Sequence, residues 1–384
     1  MAGGNTFGCY NIADLRERCR RRLPLGVWEY LERGVEDELG MARNRASLDA
    51  ITFAPRVLRN VERIDTATTL LGTPSAFPLA VAPTGAAGLV WHKGDLALAR
   101  AAARAGVPFI ISSASTMDIE RIAEAGGCLW FQLYMWADRT LSLDVVDRAG
   151  LLGCETLFVT LDLPVPPNRE YIHRNGFGTP FRINPKNTLD ILAHPRWLLG
   201  VMGRYALEGG IPSQANLPDR LRNRVTESAH PGAHFKQDNL DWDEVAKLRE
   251  RWKGKLVLKG ILRVDDAERA AAIGIDGIVV SNHGGRGLDG SRASIDALPA
   301  IVAAMGDRVE VLLDSGVRRG SDVVKAVALG AKGVLAGRAA LYGLGAGGEA
   351  GVARALELLK AETARTMAML GSRNIDEVDR SVLG

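Results

Sequence analysis

LVLKGILRVDDAERAAAIGIDGIVVSN, residues 256–282, is the stretch from which we predict the fold. It opens with an aliphatic run at 256–261, continues with an amphipathic run that begins at Asp265, and returns after Gly274 to an aliphatic run at 277–282. Short, nearly continuous aliphatic runs are typical of strands in a parallel sheet that is covered on both faces. The stretch therefore predicts a strand, a helix and a second strand parallel to the first.

The same kind of unit recurs until eight strands are reached. Strands are predicted at residues 79–83, 108–112, 129–134, 156–162, 256–261, 277–282, 310–315 and 333–338. Helices are predicted at residues 95–105, 118–125, 265–273, 294–305 and 321–329. Each helix begins at Asp or Ser, whose side chain can accept free amide hydrogens of the first turn, and a glycine follows each as a left-handed cap. Eight units predict a single (β/α)₈ TIM-barrel domain over residues 1–384, with a doubly wound open sheet as the alternative.

Two regions lie outside the repeat. Residues 1–75 precede the first strand and carry a helical pattern around Asp14 to Gly34, so we expect them to cover one end of the barrel. Residues 163–240 interrupt the repeat between the fourth strand and its helix. Insertions of this length in compact domains are typically lids or binding segments.

The composition is that of an ordinary globular protein, with 47% hydrophobic and 24% charged residues and a net charge of +3. The densest basic cluster, Arg16 to Arg22, falls in an amphipathic segment; we interpret it as a solvated helix face and expect no nucleic-acid partner. Four cysteines without CxxC spacing predict reduced thiols, a cytoplasmic protein and no metal site. Without a secretion signal or a spanning apolar run, we expect a protein that is soluble or at most peripheral to the membrane.

Polar and small residues gather at the predicted strand ends, which is where TIM barrels carry their active sites. This ring comprises Ala82, Pro83, Thr84, Ser112, Gln132, Tyr134, Thr160, Asp162, Lys259, Ser281, His283, Asp314, Ser315, Gly316, Gly337 and Arg338. A protein with a purely structural role has little need of such a ring.

The last two strand ends carry the features of a phosphate site. DSGVRRG at 314–320 opens a helix, and Gly337 with Arg338 ends the eighth strand. Backbone amides at a helix start, small residues and an arginine such as Arg318 are typical of anion sites, and TIM barrels commonly bind phosphate here. Ordinary loop glycines are the alternative interpretation.

His283 is the candidate base. It lies in a glycine-flanked loop with Arg286 three residues on, and a neutral imidazole can accept a proton at physiological pH. Asp162 would orient the ring and stabilise its protonated form. A capped loop histidine is the alternative, but Arg286 and the position at the barrel mouth favour catalysis.

Two arginines and two tyrosines are the candidate substrate contacts. Arg169 and Arg286 suit a bidentate clamp on a carboxylate because the guanidinium is a planar fork. Tyr30 and Tyr134 can donate hydrogen bonds to substrate oxygens. A surface ion pair is the alternative for Arg169, and a helix-core aromatic is the alternative for Tyr30.

Lys259 suggests a fixed cation beside a developing anion. A reduced flavin is one such anion, and a Schiff base is the other common use of a barrel lysine. A Schiff-base enzyme would not need the pair of His283 and Arg286, so the sequence favours flavin.

Taken together, the sequence resembles the FMN-dependent 2-hydroxy-acid dehydrogenase/oxidase family, which includes glycolate oxidases, flavin L-lactate dehydrogenases and (S)-mandelate dehydrogenases. The resemblance extends from Leu23 to the region of Gly371 and rests on APT at 82–84, FQLY at 131–134, KG at 259–260, SNHGGR at 281–286 and GVRRG at 316–320. It implies an FMN cofactor, oxidation of a 2-hydroxy acid to the 2-keto acid, oxygen or quinone as electron acceptor, and a homotetramer.

The resemblance also implies a role for each matching position. FMN contacts are implied for Ala82, Pro83, Thr84, Ser112, Gln132, Thr160, Lys259, Ser281, Asp314, Ser315, Gly316, Arg318, Gly337 and Arg338. Catalytic roles are implied for His283, Asp162 and Tyr134, and substrate contacts for Tyr30, Tyr134, Arg169 and Arg286.

Four positions depart from patterns within the family. Gly287 replaces a usual glutamine, and Ser315 replaces a usual glycine, as in mandelate dehydrogenases, whose motifs are the most similar. Gly85 and Ala114 stand where glycolate oxidases carry Ala and Trp. Smaller side chains leave room for a bulky substituent, so we predict an aryl substrate such as mandelate or 4-hydroxymandelate, with lactate or glycolate as the alternative.

The apolar segment 189–202 of the insertion has the composition of an interfacial helix, and the similar segment of mandelate dehydrogenase attaches that enzyme to the membrane. Attachment to the inner face of the membrane is therefore one prediction, and a helix packed over the barrel mouth is the other. Another FMN-barrel chemistry, of the isopentenyl-diphosphate isomerase or IMP-dehydrogenase kind, is a further alternative, although Cys128 and Cys154 precede strands and are badly placed for the latter. A non-catalytic barrel that binds a phosphorylated ligand is the last.

Overall fold

Eight parallel strands form a closed barrel in the computed structural model, which describes residues 8–178, 180–208, 210–224, 226–228, 230 and 232–384. The barrel strands are β3 (Leu79–Val81), β4 (Phe109–Ser112), β5 (Leu129–Leu133), β6 (Thr156–Thr160), β7 (Lys255–Ile261), β8 (Gly277–Val280), β9 (Glu310–Leu313) and β10 (Gly333–Ala336). They pair in chain order, and β10 closes the barrel against β3. A hairpin of β1 (Thr68–Leu70) and β2 (Thr73–Ser75) precedes them. The predicted TIM barrel is confirmed; the segments 1–75 and 163–240 lie partly outside the described residues.

Helices surround the barrel and cover its mouth. They are α1 (Ile12–Arg22), α2 (Leu25–Glu32), α3 (Leu39–Ala50), α4 (Ala87–Val90), α5 (Gly94–Ala105), α6 (Ile119–Ala123), α7 (Arg139–Leu151), α8 (Glu170–Asn175), α9 (Pro185–Ala193), α10 (Pro195–Trp197), α11 (Arg204–Leu207), α12 (Trp242–Arg251), α13 (Val264–Ala272), α14 (Ser294–Met305), α15 (Gly320–Ala328) and α16 (Arg338–Leu370). A π-helix, Leu198–Gly203, joins α10 to α11. Among the described residues, no helix combines the length and the apolar character needed to cross a bilayer.

The strand predictions were right in place, but six of the eight extended too far at their carboxyl ends. The strand predicted at 156–162 ends at Thr160, and that predicted at 277–282 ends at Val280. The residues beyond them belong to the mouth loops, where side-chain contacts replace the sheet ladder.

The predicted helix caps were only half right. The five glycines after the helices, Gly106, Gly126, Gly274, Gly306 and Gly330, all have positive φ, as expected. Of the predicted Asp and Ser caps, only Asp118 occupies an N-cap position, and its carboxylate pairs with Arg222 instead of the helix amides. The other four residues lie within the first turn of their helices. Asp95 lies buried inside α5 and contacts Thr116, while Ser294 accepts a hydrogen bond from the amide of Asn282 in a mouth loop.

The barrel interior is a layered apolar core that is closed at the amino-terminal end. Side chains from all eight strands meet there, including Trp130 and Phe158, whose ring centroids are 5.4 Å apart. Leu70 and Leu71 of the hairpin close this end. The carboxyl-terminal end of the barrel is open to a ligand, as in TIM-barrel enzymes.

Parts of both regions outside the repeat lie over the open end, whereas the hairpin of the amino-terminal region closes the opposite end. A side chain added at Gly285 of a mouth loop would collide with Met41 of α3, so the amino-terminal segment packs directly on that loop. The insertion is fixed by a hydrogen bond from the Trp197 indole to the carbonyl of Leu89 and by a β-bridge between Trp136 and Phe235.

Candidate active site

A cavity of about 580 Å³ occupies the barrel mouth. Most of the predicted site residues line it: Tyr30, Ala82, Pro83, Thr84, Ser112, Tyr134, Thr160, Arg169, Lys259, His283, Arg286, Asp314, Ser315, Gly316, Arg318, Gly337 and Arg338. Three predicted residues, Gln132, Asp162 and Ser281, lie behind this lining. Each is hydrogen-bonded to a lining residue, so they support the cavity wall from within the barrel.

His283 and Asp162 form a close polar pair at the mouth. The Nδ1 atom of His283 is 2.6 Å from Oδ1 of Asp162, and its Nε2 atom is 3.2 Å from the hydroxyl of Tyr134. Burial lowers the pKa of His283 below its usual value, although the Asp162 carboxylate partly opposes this effect. The lowered pKa favours the neutral form of the ring. With its Nδ1 proton donated to Asp162, Nε2 has a free lone pair that points toward Tyr134.

Asp162 remains ionised although it is buried. Burial alone would raise its pKa, but its interactions with His283 and Lys259 outweigh this effect and lower it. Lys259 lies 3.9 Å from Asp162 and 3.0 Å from Asp314, and its ammonium donates to the Ser281 hydroxyl at 2.9 Å. Burial would lower the pKa of Lys259, but the two carboxylates raise it overall. The floor of the cavity thus holds a permanent cation.

Two arginines, Arg169 and Arg286, face the cavity, and the described part of the chain gives neither a carboxylate partner. Arg286 donates to the carbonyl of Arg33 at 2.8 Å, and its guanidinium lies 5.3 Å from the centroid of the Tyr30 ring. Burial, and next the charge of Arg286, lower the pKa of Arg169. Among the described residues, the Nε atom of Arg169 has no hydrogen-bond partner. Two neighbouring cations of this kind fit a carboxylate ligand.

The sequence model of a family described as FMN-dependent dehydrogenase matches residues 19–384. The chain belongs to this family. It is 42% identical to an L-lactate dehydrogenase of Caulobacter sp. (strain K31), over 97% of this chain and 98% of that protein. It is also 42% identical to an (S)-mandelate dehydrogenase of Pseudomonas putida, over 97% of this chain and 93% of that one. A crystal structure of the monotopic membrane protein (S)-mandelate dehydrogenase superposes with a TM-score of 0.93 at 41% identity, covering 98% and 99% of the two chains.

Membership confirms three predictions: the resemblance, the FMN cofactor, and an enzyme that acts on the CH–OH group of a 2-hydroxy acid. The relatives include both lactate and mandelate dehydrogenases. The substituent on the substrate therefore has to be argued from this chain's own cavity.

The mouth cavity of this FMN-dependent dehydrogenase has the chemistry of a flavin site. Its volume is in the range of ligand pockets, and Lys259 supplies a buried cation. The hydroxyl of Thr84 is buried and has no partner among the described residues. Ser315 and Gly316 have φ of +79° and +90°, so their backbone turns sharply at the predicted phosphate end. These features fit bound FMN.

Arg338 and Arg318 were predicted to contact the cofactor, and in this structure both guanidinium groups donate to backbone carbonyls. Arg338 donates to the carbonyls of Leu31, Arg33 and Gly284, and burial lowers its pKa to about 10. Arg318 donates from Nη1 to the Val317 carbonyl. Arg338 thus connects α2 to the His283 loop.

Sequence reasoning missed the residues that hold this loop. The side chains of Asn44 and Asn282 exchange two hydrogen bonds of 2.8 Å, which join α3 to the start of the loop. The Ser315 hydroxyl accepts from the amide of Gly284 at 2.9 Å. The contact of Asn44 could not be predicted from a local motif, because its partner Asn282 is 238 positions away in the sequence.

Proposed function

We propose that this FMN-dependent dehydrogenase oxidises (S)-2-hydroxy acids that carry an aryl group, such as mandelate or 4-hydroxymandelate, to the 2-keto acids. The observation that carries the proposal is a second cavity of about 520 Å³ that shares Gly85, Ala114, Tyr30 and Arg169 with the mouth cavity. Its wall includes Val27, Leu89, Phe177, Ile191, Trp197 and Met202. A substituent on the hydroxy acid would therefore have apolar space beyond Gly85 and Ala114.

The passage between the two cavities depends on these two small residues. A Cβ atom placed at Gly85 would lie 3.1 Å from the Cβ of Ala114 and 3.6 Å from the Tyr30 hydroxyl. A phenyl ring in place of a methyl group would bury roughly 100 Å² more apolar surface, which favours binding by about 2.5 kcal/mol. The methyl group of lactate would leave the second cavity empty.

The polar residues would then act on the common part of the substrate. Arg169 and Arg286 would bind the carboxylate, and Tyr30 and Tyr134 would donate to its oxygens or to the hydroxyl oxygen. The Nε2 atom of His283, which Tyr134 contacts in this structure, would accept the proton that leaves the substrate.

Asp162 would stabilise the imidazolium that forms when His283 is protonated. The side chains around Lys259, Thr84, Ser112 and Thr160 would hold the flavin ring, and residues 314–318 would hold its phosphate. When bound, FMN supplies the acceptor for the two electrons.

Steady-state kinetics with a substrate series test the proposal. We expect kcat/KM for (S)-mandelate to exceed that for L-lactate and glycolate by at least about 50-fold, as the apolar burial implies. (R)-Mandelate is the control: if the arginines fix the carboxylate in one orientation, it should bind but should not be oxidised. A preference for L-lactate would refute the aryl proposal and favour the alternative.

We further propose that the enzyme attaches peripherally to membranes through its insertion. The side chains of Leu189, Leu192, Leu199 and Leu207 are more than half exposed on α9, the π-helix and α11, and the similar (S)-mandelate dehydrogenase is described as a monotopic membrane protein. Exposed leucines on neighbouring helices suit burial among lipid headgroups and acyl chains.

Sedimentation with phospholipid vesicles tests the attachment. The wild-type enzyme should pellet with vesicles, and a Leu192→Glu/Leu199→Glu variant should remain in the supernatant with unchanged kcat. Equal pelleting of both proteins would refute attachment through this segment. The inner-face location, the homotetramer and the acceptor stay predictions; reoxidation of the reduced enzyme by oxygen and by a quinone analogue compares the two acceptors.

A further inference from the structure

We propose that Gly260 is a positioning residue for catalysis: the missing side chain at the end of β7 leaves the space in which Asp162 sits beside His283. The inference rests on the roles proposed above for His283 and Asp162. It adds a residue to which neither the family motifs nor the cavity lining gives a function.

The backbone at Gly260 is unusual in two ways. Its φ is +110°, a conformation that residues with a side chain rarely adopt. The pairing of β7 with β8 also shifts register between Lys259 and Ile261, so a bulge is centred on this glycine. The bulge separates Lys259, which faces the cavity floor, from the outer part of the strand.

The space beside Gly260 is filled by Asp162. A Cβ atom placed at Gly260 would lie 2.7 Å from Cβ, 2.8 Å from Cγ and 2.9 Å from the backbone nitrogen of Asp162. A rotamer change of Asp162 can move its Cγ but not its Cβ or its backbone nitrogen, so it cannot relieve the whole overlap. Any residue other than glycine would therefore displace the carboxyl group or the end of β6.

Gly287 is a second glycine that lies against Asp162, in this case against its backbone oxygen. A Cβ atom there would lie 2.9 Å from the backbone oxygen of Asp162 and 3.3 Å from Cδ2 of Leu163. This is the position at which the family usually carries glutamine. In this chain, two positions without side chains thus enclose Asp162.

A small displacement of Asp162 has a large effect. Its Oδ1 is 2.6 Å from Nδ1 of His283, and its Oδ2 is 3.4 Å from the Ser281 hydroxyl. A separation of about 3.6 Å is no longer a hydrogen bond, so a shift of about 1 Å would break the contact between Asp162 and His283. An error of about 1 Å in a catalytic group typically costs about 10²-fold in rate.

The test compares Gly260→Ala with Gly274→Ala, both loaded with FMN. Gly274 also has positive φ, +81°, but a Cβ atom there would meet nothing within 4 Å, so it controls for backbone strain alone. We expect anaerobic flavin reduction by (S)-mandelate to slow about 10²-fold in Gly260→Ala and by less than about twofold in Gly274→Ala. The rate of flavin reduction should fall at low pH as His283 is protonated, and this acid limb should move to lower pH only in Gly260→Ala. The reason is that the carboxylate that raises the pKa of His283 is displaced in this variant.

Two further measurements make the result decisive. In an Asp162→Asn background, Gly260→Ala should add almost no further loss; a full additional loss would overturn the proposal. A crystal structure of Gly260→Ala should show a separation of Asp162 and His283 beyond hydrogen-bonding distance, and an unchanged pair would also overturn it.

The structural result is independent of turnover. If His283→Gln keeps full activity, the proposed function fails while the displacement in Gly260→Ala still tests the positioning. If Gly260→Ala does not fold, Gly287→Ala, whose Cβ would press on the Asp162 carbonyl oxygen, undergoes the same comparison, and an unmoved acid limb in it refutes the inference.

Discussion

Replacing Asp162 by Asn should weaken proton abstraction without disturbing flavin binding. The substitution keeps the size of the side chain but removes the charge that lies 2.6 Å from Nδ1 of His283. For charge centres about 4 Å apart, an effective dielectric constant of about 20 gives an attraction of about 4 kcal/mol between imidazolium and carboxylate. Because about 1.4 kcal/mol corresponds to a factor of ten, we expect the rate of flavin reduction to fall by about 10³-fold.

Stopped-flow reduction under anaerobic conditions measures this rate across a pH series. His283 accepts a proton only when neutral, so the rate is full above its pKa and is lost as the pH falls through it. Burial already places this pKa below its usual value, and the Asp162 charge raises it. In Asp162→Asn the acid limb should therefore move to lower pH while the plateau falls. A loss smaller than tenfold, or a limb that moves to higher pH, would refute the pairing of these two residues in catalysis.

Three other substitutions test the cavity and the stability of the barrel. Gly85→Ala should lower kcat/KM for (S)-mandelate by about 10- to 100-fold, because crowding costs about 1–3 kcal/mol, and leave L-lactate within about twofold; equal losses would contradict the proposed path of the ring. Arg169→Lys should raise KM about 10- to 100-fold, since a lost bidentate charged contact costs about 1.5–3 kcal/mol; an unchanged KM would remove Arg169 from the clamp. Burial raises the pKa of Asp95 from 3.8 to about 6, so its ionisation destabilises the folded state by up to about 3 kcal/mol above pH 6. Asp95→Asn should then raise the thermal midpoint more at pH 8 than at pH 5, and an equal gain at both would contradict the shift.

The barrel could be predicted because its signals are local. Each strand is a short aliphatic run, and each of the five predicted helices is followed by a glycine with positive φ. The helix starts could not be predicted in the same way. Whether Asp95 caps a helix or is buried depends on the approach of Thr116 from the next strand–helix unit.

The sequence was enough to predict which residues gather at one end of the barrel. It was not enough to predict which of their side chains line the cavity and which lie behind its wall. Gln132 and Ser281 stand at strand ends in the sequence, yet their side chains are buried and bond to neighbouring residues instead of lining the cavity. Phe235 lies far along the insertion and reaches the cavity only because it pairs with Trp136. The space required by Asp162 beside Gly260 appears only once β6 and β7 are placed side by side.

The central claim is that His283 takes the proton when a 2-hydroxy acid reduces the flavin. The most direct measurement mixes FMN-loaded wild-type enzyme and His283→Gln anaerobically with (S)-mandelate and follows the flavin absorbance. The wild type should bleach within seconds, and His283→Gln should keep its flavin and its affinity for mandelate but reduce at least about 10³-fold more slowly. Bleaching of His283→Gln at the wild-type rate, or no bleaching of the wild type by any 2-hydroxy acid, would contradict the account.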